Sequence, residues 1–172
     1  MAIITTNKNK TPLGIYIHVP FCRSKCQYCD FYSLPCTEWI PSYEKALVKS
    51  FPAFASLVPD RLVKTVYFGG GTPSLATADG VKRIFSSLRE SFVLSEDAEI
   101  TVEMNPESAS EEILSAYRSA GANRISFGMQ SAVDEELSVL GRLHRFEEVK
   151  TAVFKARQAG FDNISLDLMY GL

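Results

Sequence analysis

The chain has 172 residues, 46% of them hydrophobic and 11% aromatic, enough for one globular domain with a sizeable core. A formal net charge of −2 and a pI near 5.7 exclude the basic footprint of a nucleic-acid binder. No apolar run reaches the length of a membrane span, so a membrane association is expected only through a partner. Residues Met1–Thr11 are polar and lysine-bearing and lack the apolar stretch of a secretory signal. Residues 1–12 read as a disordered lead-in, and 13–172 as one domain.

Leu13–Val19 is the first predicted strand, and Tyr16 and His18 share one face of it by the period of two. It runs through Pro20-Phe21 into Cys22, Cys26 and Cys29, a C-x3-C-x2-C loop. A helix is predicted over Pro41–Leu57. The strand Val63–Phe68 meets Gly69-Gly70-Gly71-Thr72-Pro73-Ser74, and the helix Ala78–Phe92 follows. The strand Ala98–Met104 ends on Glu103-Met104-Asn105-Pro106. Ser108 with Glu111 has the spacing of a capping box for the helix Glu111–Ala120, and Gly121 suits its left-handed close. The strand Arg124–Phe127 continues into Gly128-Met129-Gln130-Ser131. A short helix over Asp134–Leu140 precedes Gly141-Arg142-Leu143-His144, and the helix Phe146–Ala159 closes at Gly160. The strand Asn163–Met169 carries Asp167 and leads to Tyr170-Gly171-Leu172. Strands rich in Val, Ile, Tyr and Phe that alternate with helices predict a buried parallel sheet with right-handed crossovers, an open or closed β/α barrel. Every motif falls at a strand's carboxyl end, where such sheets gather functional groups.

Three thiolates within eight residues hold a soft metal centre. Three is an incomplete set, because a four-iron cluster takes four cysteines and a structural zinc takes four ligands. One outcome is a cluster with an iron open to a non-protein ligand. The other is a zinc site completed by His18 or Cys36. Arg23 and Lys25 favour thiolates in the loop. Clustered cysteines argue for metal in a reducing cytoplasm rather than two disulfides, with Cys36 a bystander. Gly69-Gly70-Gly71-Thr72-Pro73 lets backbone approach a ligand closely. Glu103 is an acid at the end of an apolar strand and needs a partner. His18 fits a satisfied core histidine as well as a catalytic one.

Taken together and in this order, the motifs resemble the radical S-adenosylmethionine superfamily. Within it they are similar to the oxygen-independent coproporphyrinogen III oxidases and the related heme chaperones, from about Gly14 to Leu172. The resemblance implies an α/β fold, a six-unit partial barrel of which this sequence supplies about five, in members about twice as long. The chain is therefore expected to be the N-terminal part of a larger protein. It also implies Cys22, Cys26 and Cys29 as ligands of a [4Fe–4S] cluster, with S-adenosylmethionine on the open iron. Tyr16, Tyr28, Gly70, Gly71, Thr72, Glu103, Gln130, Arg142 and Asp167 are the implied S-adenosylmethionine contacts. Among these, Tyr28 would stack near the adenine, Asp167 accept from ribose hydroxyls and Arg142 pair with a carboxylate. In the oxidases some of these positions serve a second S-adenosylmethionine.

One position departs from the oxidases, which carry another cysteine two residues after the third; here it is Phe31. The Cys-Asp-Phe form resembles the heme-chaperone branch. The first expectation is therefore a chaperone that binds heme in its full-length form and delivers it to a respiratory protein. The alternative is an oxidase that decarboxylates a porphyrinogen, and a remote third reading is a zinc-stabilised binding module. Either radical reading implies an electron donor such as a flavodoxin or ferredoxin.

Overall fold

Five parallel strands stand in simple sequence order: β1 (Leu13–Val19), β2 (Leu62–Gly70), β3 (Val93–Met104), β4 (Arg124–Gln130) and β5 (Asn163–Leu168). The computed structural model describes residues 12–59 and 61–171, so the expected lead-in over 1–11 lies outside the described residues. Between the strands run α1 (Ile40–Leu57), α2 (Ala78–Ser91), α3 (Glu111–Ala120), the short α4 (Asp134–Val139) and α5 (Phe146–Gln158). The result is the expected α/β architecture, five β/α units of a partial barrel.

Alternation along each strand sorts the residues onto two faces. Ile17, Val66, Phe68, Ile100, Val102, Ile125 and Phe127 are buried under the helices with Phe85, Leu88, Leu114 and Tyr117. Phe68 stacks on Phe85 at 5.2 Å between centroids, and the Tyr117 edge meets both rings. The opposite face is polar. Tyr16, Tyr67, Thr101, Arg124 and Asn163 pair across the sheet in one row, and Glu103, Ser126 and Ser165 in the next. Arg124 donates to Thr101 Oγ1 at 3.2 Å and to Ser165 Oγ at 3.0 Å. The strands are thus apolar on one face and carry hydrogen-bonding side chains on the other, where Thr101 and Ser126 are buried as the parallel-sheet reading expects. Closed barrels commonly pack this inner face with branched side chains; here it carries hydrogen-bonding groups.

Three strands outrun their predicted ends. β2 includes Gly69 and Gly70, because Gly70 still pairs with Val19. β4 extends to Gln130, which pairs with Leu168 after a register shift. β3 starts at Val93, and between Leu94 and Glu99 its register slips against Val63 and Thr65. Lys64 Nζ fills that irregularity, donating to Ser95 Oγ at 2.8 Å and Asp97 Oδ1 at 2.7 Å. These bonds hold the exposed Asp97 carboxyl down to about 2. The predicted capping box is corrected too. Ser108 lies in a 3-10 turn (Pro106–Ser108), and the N-cap of α3 is Ser110, whose Oγ accepts from Ile113 N at 3.2 Å. Gly121 and Gly160 close their helices with φ of 110° and 91°, as expected.

Two contacts hold α1 to α2. Pro52 inside α1 has no amide to give the Val48 carbonyl, and Ser87 Oγ donates to that oxygen instead at 3.2 Å. Glu44 of α1, 1% exposed, accepts from Thr77 N at 2.8 Å, from Thr77 Oγ1 and from Arg83 Nη2 at 3.1 Å. Glu44→Ala is expected to destabilise the fold by about 1–3 kcal/mol, because it strands buried donors at the start of α2. Chemical denaturation measures it, with the exposed Asp79–Lys82 pair as control; Lys82→Ala should change stability by less than about 0.5 kcal/mol.

Candidate metal and cofactor site

The cysteines sit in a loop closed at its neck. Phe21 and Leu34 form an isolated parallel bridge, with Cys22 N donating to Leu34 O at 3.1 Å and Leu34 N to Pro20 O at 2.8 Å. Phe21 is buried with Val19 and Ile40, and its ring meets the Tyr43 edge. Within the loop Cys29 N donates to Cys26 O at 3.1 Å. This arrangement carries Cys22, Cys26 and Cys29, all free and half-buried, over the carboxyl ends of the strands.

There the three cysteines line one pocket together with Tyr28, Gly70, Gly71, Thr72, Glu103, Gln130, Arg142 and Asp167. Among the described residues no three His, Cys, Asp or Glu side chains close on a point that would hold a single metal ion. Two expected neighbours stand apart. Tyr16 does not line the pocket; 58% exposed, it stacks on Tyr67 and its hydroxyl lies 3.0 Å from His18 Nδ1. Cys36 lies beyond the neck, at the start of a 3-10 turn, and does not line the pocket. His18 Nε2 is 2.8 Å from the Tyr32 carbonyl, so both ring nitrogens have protein partners. His18 is thus a satisfied histidine, half-exposed rather than buried.

A hydrogen-bond path joins two of the cysteines through the ends of β2 and β3 and the turn after α4. Thr72 Oγ1 donates toward Cys22 Sγ at 3.4 Å and accepts from Asn105 Nδ2 at 3.2 Å. Asn105 Oδ1 accepts from Arg142 Nη2 at 2.7 Å, and the same nitrogen donates to Gly128 O at 2.7 Å. Arg142 Nη1 completes the path at 3.6 Å from Cys26 Sγ and 3.4 Å from the Tyr28 hydroxyl. Burial disfavours the charge on Arg142, yet Tyr28, Cys26 and Glu107 around it hold its pKa above the usual guanidinium value. Asn105 is not among the site residues expected from sequence: nothing in Glu103-Met104-Asn105-Pro106 foretells a bridge between Thr72 and Arg142.

The acids are held in place. Glu103 accepts from the Tyr67 hydroxyl at 2.7 Å and from Gly70 N at 3.2 Å. Burial, then the bond to Glu103, pushes the Tyr67 phenol well above its ordinary range, so it stays a donor. Asp167 accepts from Ser126 Oγ at 2.9 Å. Gly70 has φ of 106°, and a Cβ there would stand 2.5 Å from the His18 ring. Gln130, with φ of 68°, is the non-glycine residue held in the left-handed region among those described. Such strain gathers at functional sites and costs about 1–3 kcal/mol.

This geometry agrees with what the chain is similar to. It is 40% identical over 163 residues to the heme chaperone HemW of Escherichia coli (strain K12), covering 94% of this chain and 43% of that protein. To the heme chaperone HemW of Bacillus subtilis (strain 168) it is 39% identical, covering 91% and 42%. The chain thus spans about two fifths of the length of these relatives. Among solved structures, the coproporphyrinogen III oxidase HemN from Escherichia coli, described as a radical SAM enzyme, superposes with a TM-score of 0.85. The two are 32% identical, over 94% of this chain and 38% of that one. A structure of anSMEcpe with bound AdoMet shares the fold at a TM-score of 0.61 and 16% identity. The family model that matches residues 16–172 is that of the Radical SAM superfamily, and the chain belongs to it.

Proposed function

We propose that Cys22, Cys26 and Cys29 hold a [4Fe–4S] cluster, that the pocket beside them takes S-adenosylmethionine, and that the whole protein is a heme chaperone. The observation that carries this is the pocket itself. One loop brings three thiols to it, and the ends of β2, β3, β4 and β5 bring glycines, acids, an amide and a guanidinium. The donor set suits the group: a four-iron cluster takes four ligands, and the pocket offers three cysteines. When bound, the reduced cluster and S-adenosylmethionine together supply methionine and a 5′-deoxyadenosyl radical, chemistry that belongs to the cofactors.

The chain's own residues hold and orient. Thr72 and Arg142 donate toward Cys22 and Cys26 and orient their sulfurs. Glu103, fixed by Tyr67 and Gly70, offers its carboxylate to an ammonium group. Asp167, oriented by Ser126, accepts from ribose hydroxyls. Tyr28 gives a ring for the adenine, and Gly70, Gly71, Thr72 and Gln130 give backbone and amide contacts. Arg142 differs from its expected role as a free carboxylate clamp, since both terminal nitrogens already have protein partners. Tyr16, on the polar face outside the pocket, reaches S-adenosylmethionine only if the ligand extends along that face.

Phe31 lines the pocket where the oxidases carry cysteine. Together with the similarity to heme chaperones, it favours a chaperone that takes an electron from a flavodoxin or ferredoxin and passes heme to a respiratory protein in the cytoplasm. The second reading, an oxygen-independent coproporphyrinogen III oxidase acting on a porphyrinogen, is favoured by the TM-score of 0.85 to HemN.

The test is anaerobic reconstitution of a protein of the relatives' full length that carries this sequence. Iron and sulfide are expected at about four each. S-adenosylmethionine is expected to change the electron paramagnetic resonance spectrum of the reduced cluster. Heme should bind stably, and coproporphyrinogen III should give no vinyl product under reducing conditions. Robust decarboxylation would install the oxidase reading instead. A single colourless metal ion would refute both.

A further inference from the structure

Behind the pocket, the segments that carry Asn105 and Arg142 touch a second time. Glu107 lies two residues past Asn105, and His144 two residues past Arg142. His144 Nδ1 faces Glu107 Oε2 at 3.4 Å, an ion-pair distance without hydrogen-bond alignment, and neither residue lines the pocket. The His144 side chain is fully buried, and that of Glu107 is 15% exposed. The other ring nitrogen, Nε2, is 3.1 Å from the Met129 carbonyl. Both ring nitrogens therefore face acceptor oxygens.

We propose that Glu107 and His144 are a buried positioning pair that fixes the Arg142 guanidinium against the cysteine loop, so that affinity for S-adenosylmethionine depends on two residues outside its pocket. Arg142 Nε, Glu107 Oε2 and His144 Nδ1 are all buried with no hydrogen-bond partner among the described residues. An unpaired buried polar atom is costly. The Glu107–His144 contact ties the segment that carries Asn105 to the segment that carries Arg142, two residues from each. Burial pushes the Glu107 carboxyl up, but His144, a backbone hydrogen bond and the more distant charge of Arg142 more than offset it and leave it below the usual range. The carboxylate therefore stays ionised beside His144. Removing either member frees the Arg142 side chain to leave Asn105, Gly128 and Cys26.

This inference rests on the S-adenosylmethionine reading of the pocket, and a double-mutant cycle in the reconstituted full-length protein tests it. His144→Gln and Glu107→Gln are each expected to bind S-adenosylmethionine about tenfold more weakly. The readout is the ligand concentration that changes the reduced cluster's paramagnetic spectrum, at unchanged iron content. In an Arg142→Ala background neither substitution should weaken binding further, while any loss of melting temperature should persist. Equal weakening with and without Arg142, or no weakening in its presence, overturns the proposal and leaves the pair merely structural. Should His144→Gln not fold, Glu107→Gln carries the same comparison, because it keeps the side chain's shape. A spectrum indifferent to S-adenosylmethionine in the unsubstituted protein overturns the site reading and this inference together.

Discussion

Replacing Cys22, Cys26 or Cys29 by alanine is expected to abolish assembly of the iron–sulfur cluster, while Cys36→Ala leaves iron and sulfide unchanged. The first three thiols line one pocket and the fourth does not. Cys22 and Cys26 also carry donors, Thr72 and Arg142, at 3.4 Å and 3.6 Å. With three ligands, loss of one leaves two thiolates for four irons, and Cys36 sits past the neck of the loop at Phe21–Leu34, on the far side of the closure. The fold should survive each change, because none of the three is fully buried. Iron and sulfide analysis after anaerobic reconstitution, with a far-ultraviolet spectrum as the folding control, decides the matter. Loss of iron in Cys36→Ala together with tolerance at the triplet would reverse the assignment.

The order of strands and helices was legible because it is written in local pattern: apolar runs, helical periodicity, and glycines at helix ends. The motifs at strand ends were legible for the same reason, and eight of the nine expected S-adenosylmethionine contacts line one pocket, with Tyr16 apart. What joins those motifs to each other was not legible. Asn105 sits between Thr72 and Arg142, 33 and 37 residues away in sequence, and no periodicity encodes such a meeting. Glu44 against the start of α2, and Glu107 against His144, are pairings of the same kind. The polar inner face is present in the alternation Thr65-Tyr67-Gly69 and Arg124-Ser126-Gly128, but which of its groups bond to each other is not. The cap of α3 was misplaced because two serines, Ser108 and Ser110, both precede Glu111–Glu112, and only the 3-10 turn at Pro106 decides between them.

Gly71→Ala is expected to open the neck of the cysteine loop. Gly71 N donates to Val19 O at 2.8 Å, which presses this residue against the end of β1. A Cβ on Gly71 would stand 2.6 Å from the Phe21 carbonyl oxygen, 2.8 Å from Phe21 N and 2.8 Å from Val19 O. All three are backbone atoms, two of them of Phe21 next to Cys22, so no side chain can turn aside to make room. Overpacking costs about 1–3 kcal/mol, occasionally more, and contact with fixed backbone on three sides puts this site at the upper end. For a chain of this size that corresponds to a fall in melting temperature of roughly 6–12 °C. Displacing Phe21 also moves Cys22 away from Thr72 Oγ1, so cluster occupancy should fall with stability. Gly14→Ala is the milder comparison: its Cβ would meet one side-chain atom, the Thr65 hydroxyl at 2.9 Å, rather than three backbone atoms. Calorimetry and iron analysis on both variants measure the contrast. Equal melting temperatures and full iron in Gly71→Ala would show that the neck has slack, and that the tight seat of the loop on β2 is not what holds Cys22 at the pocket.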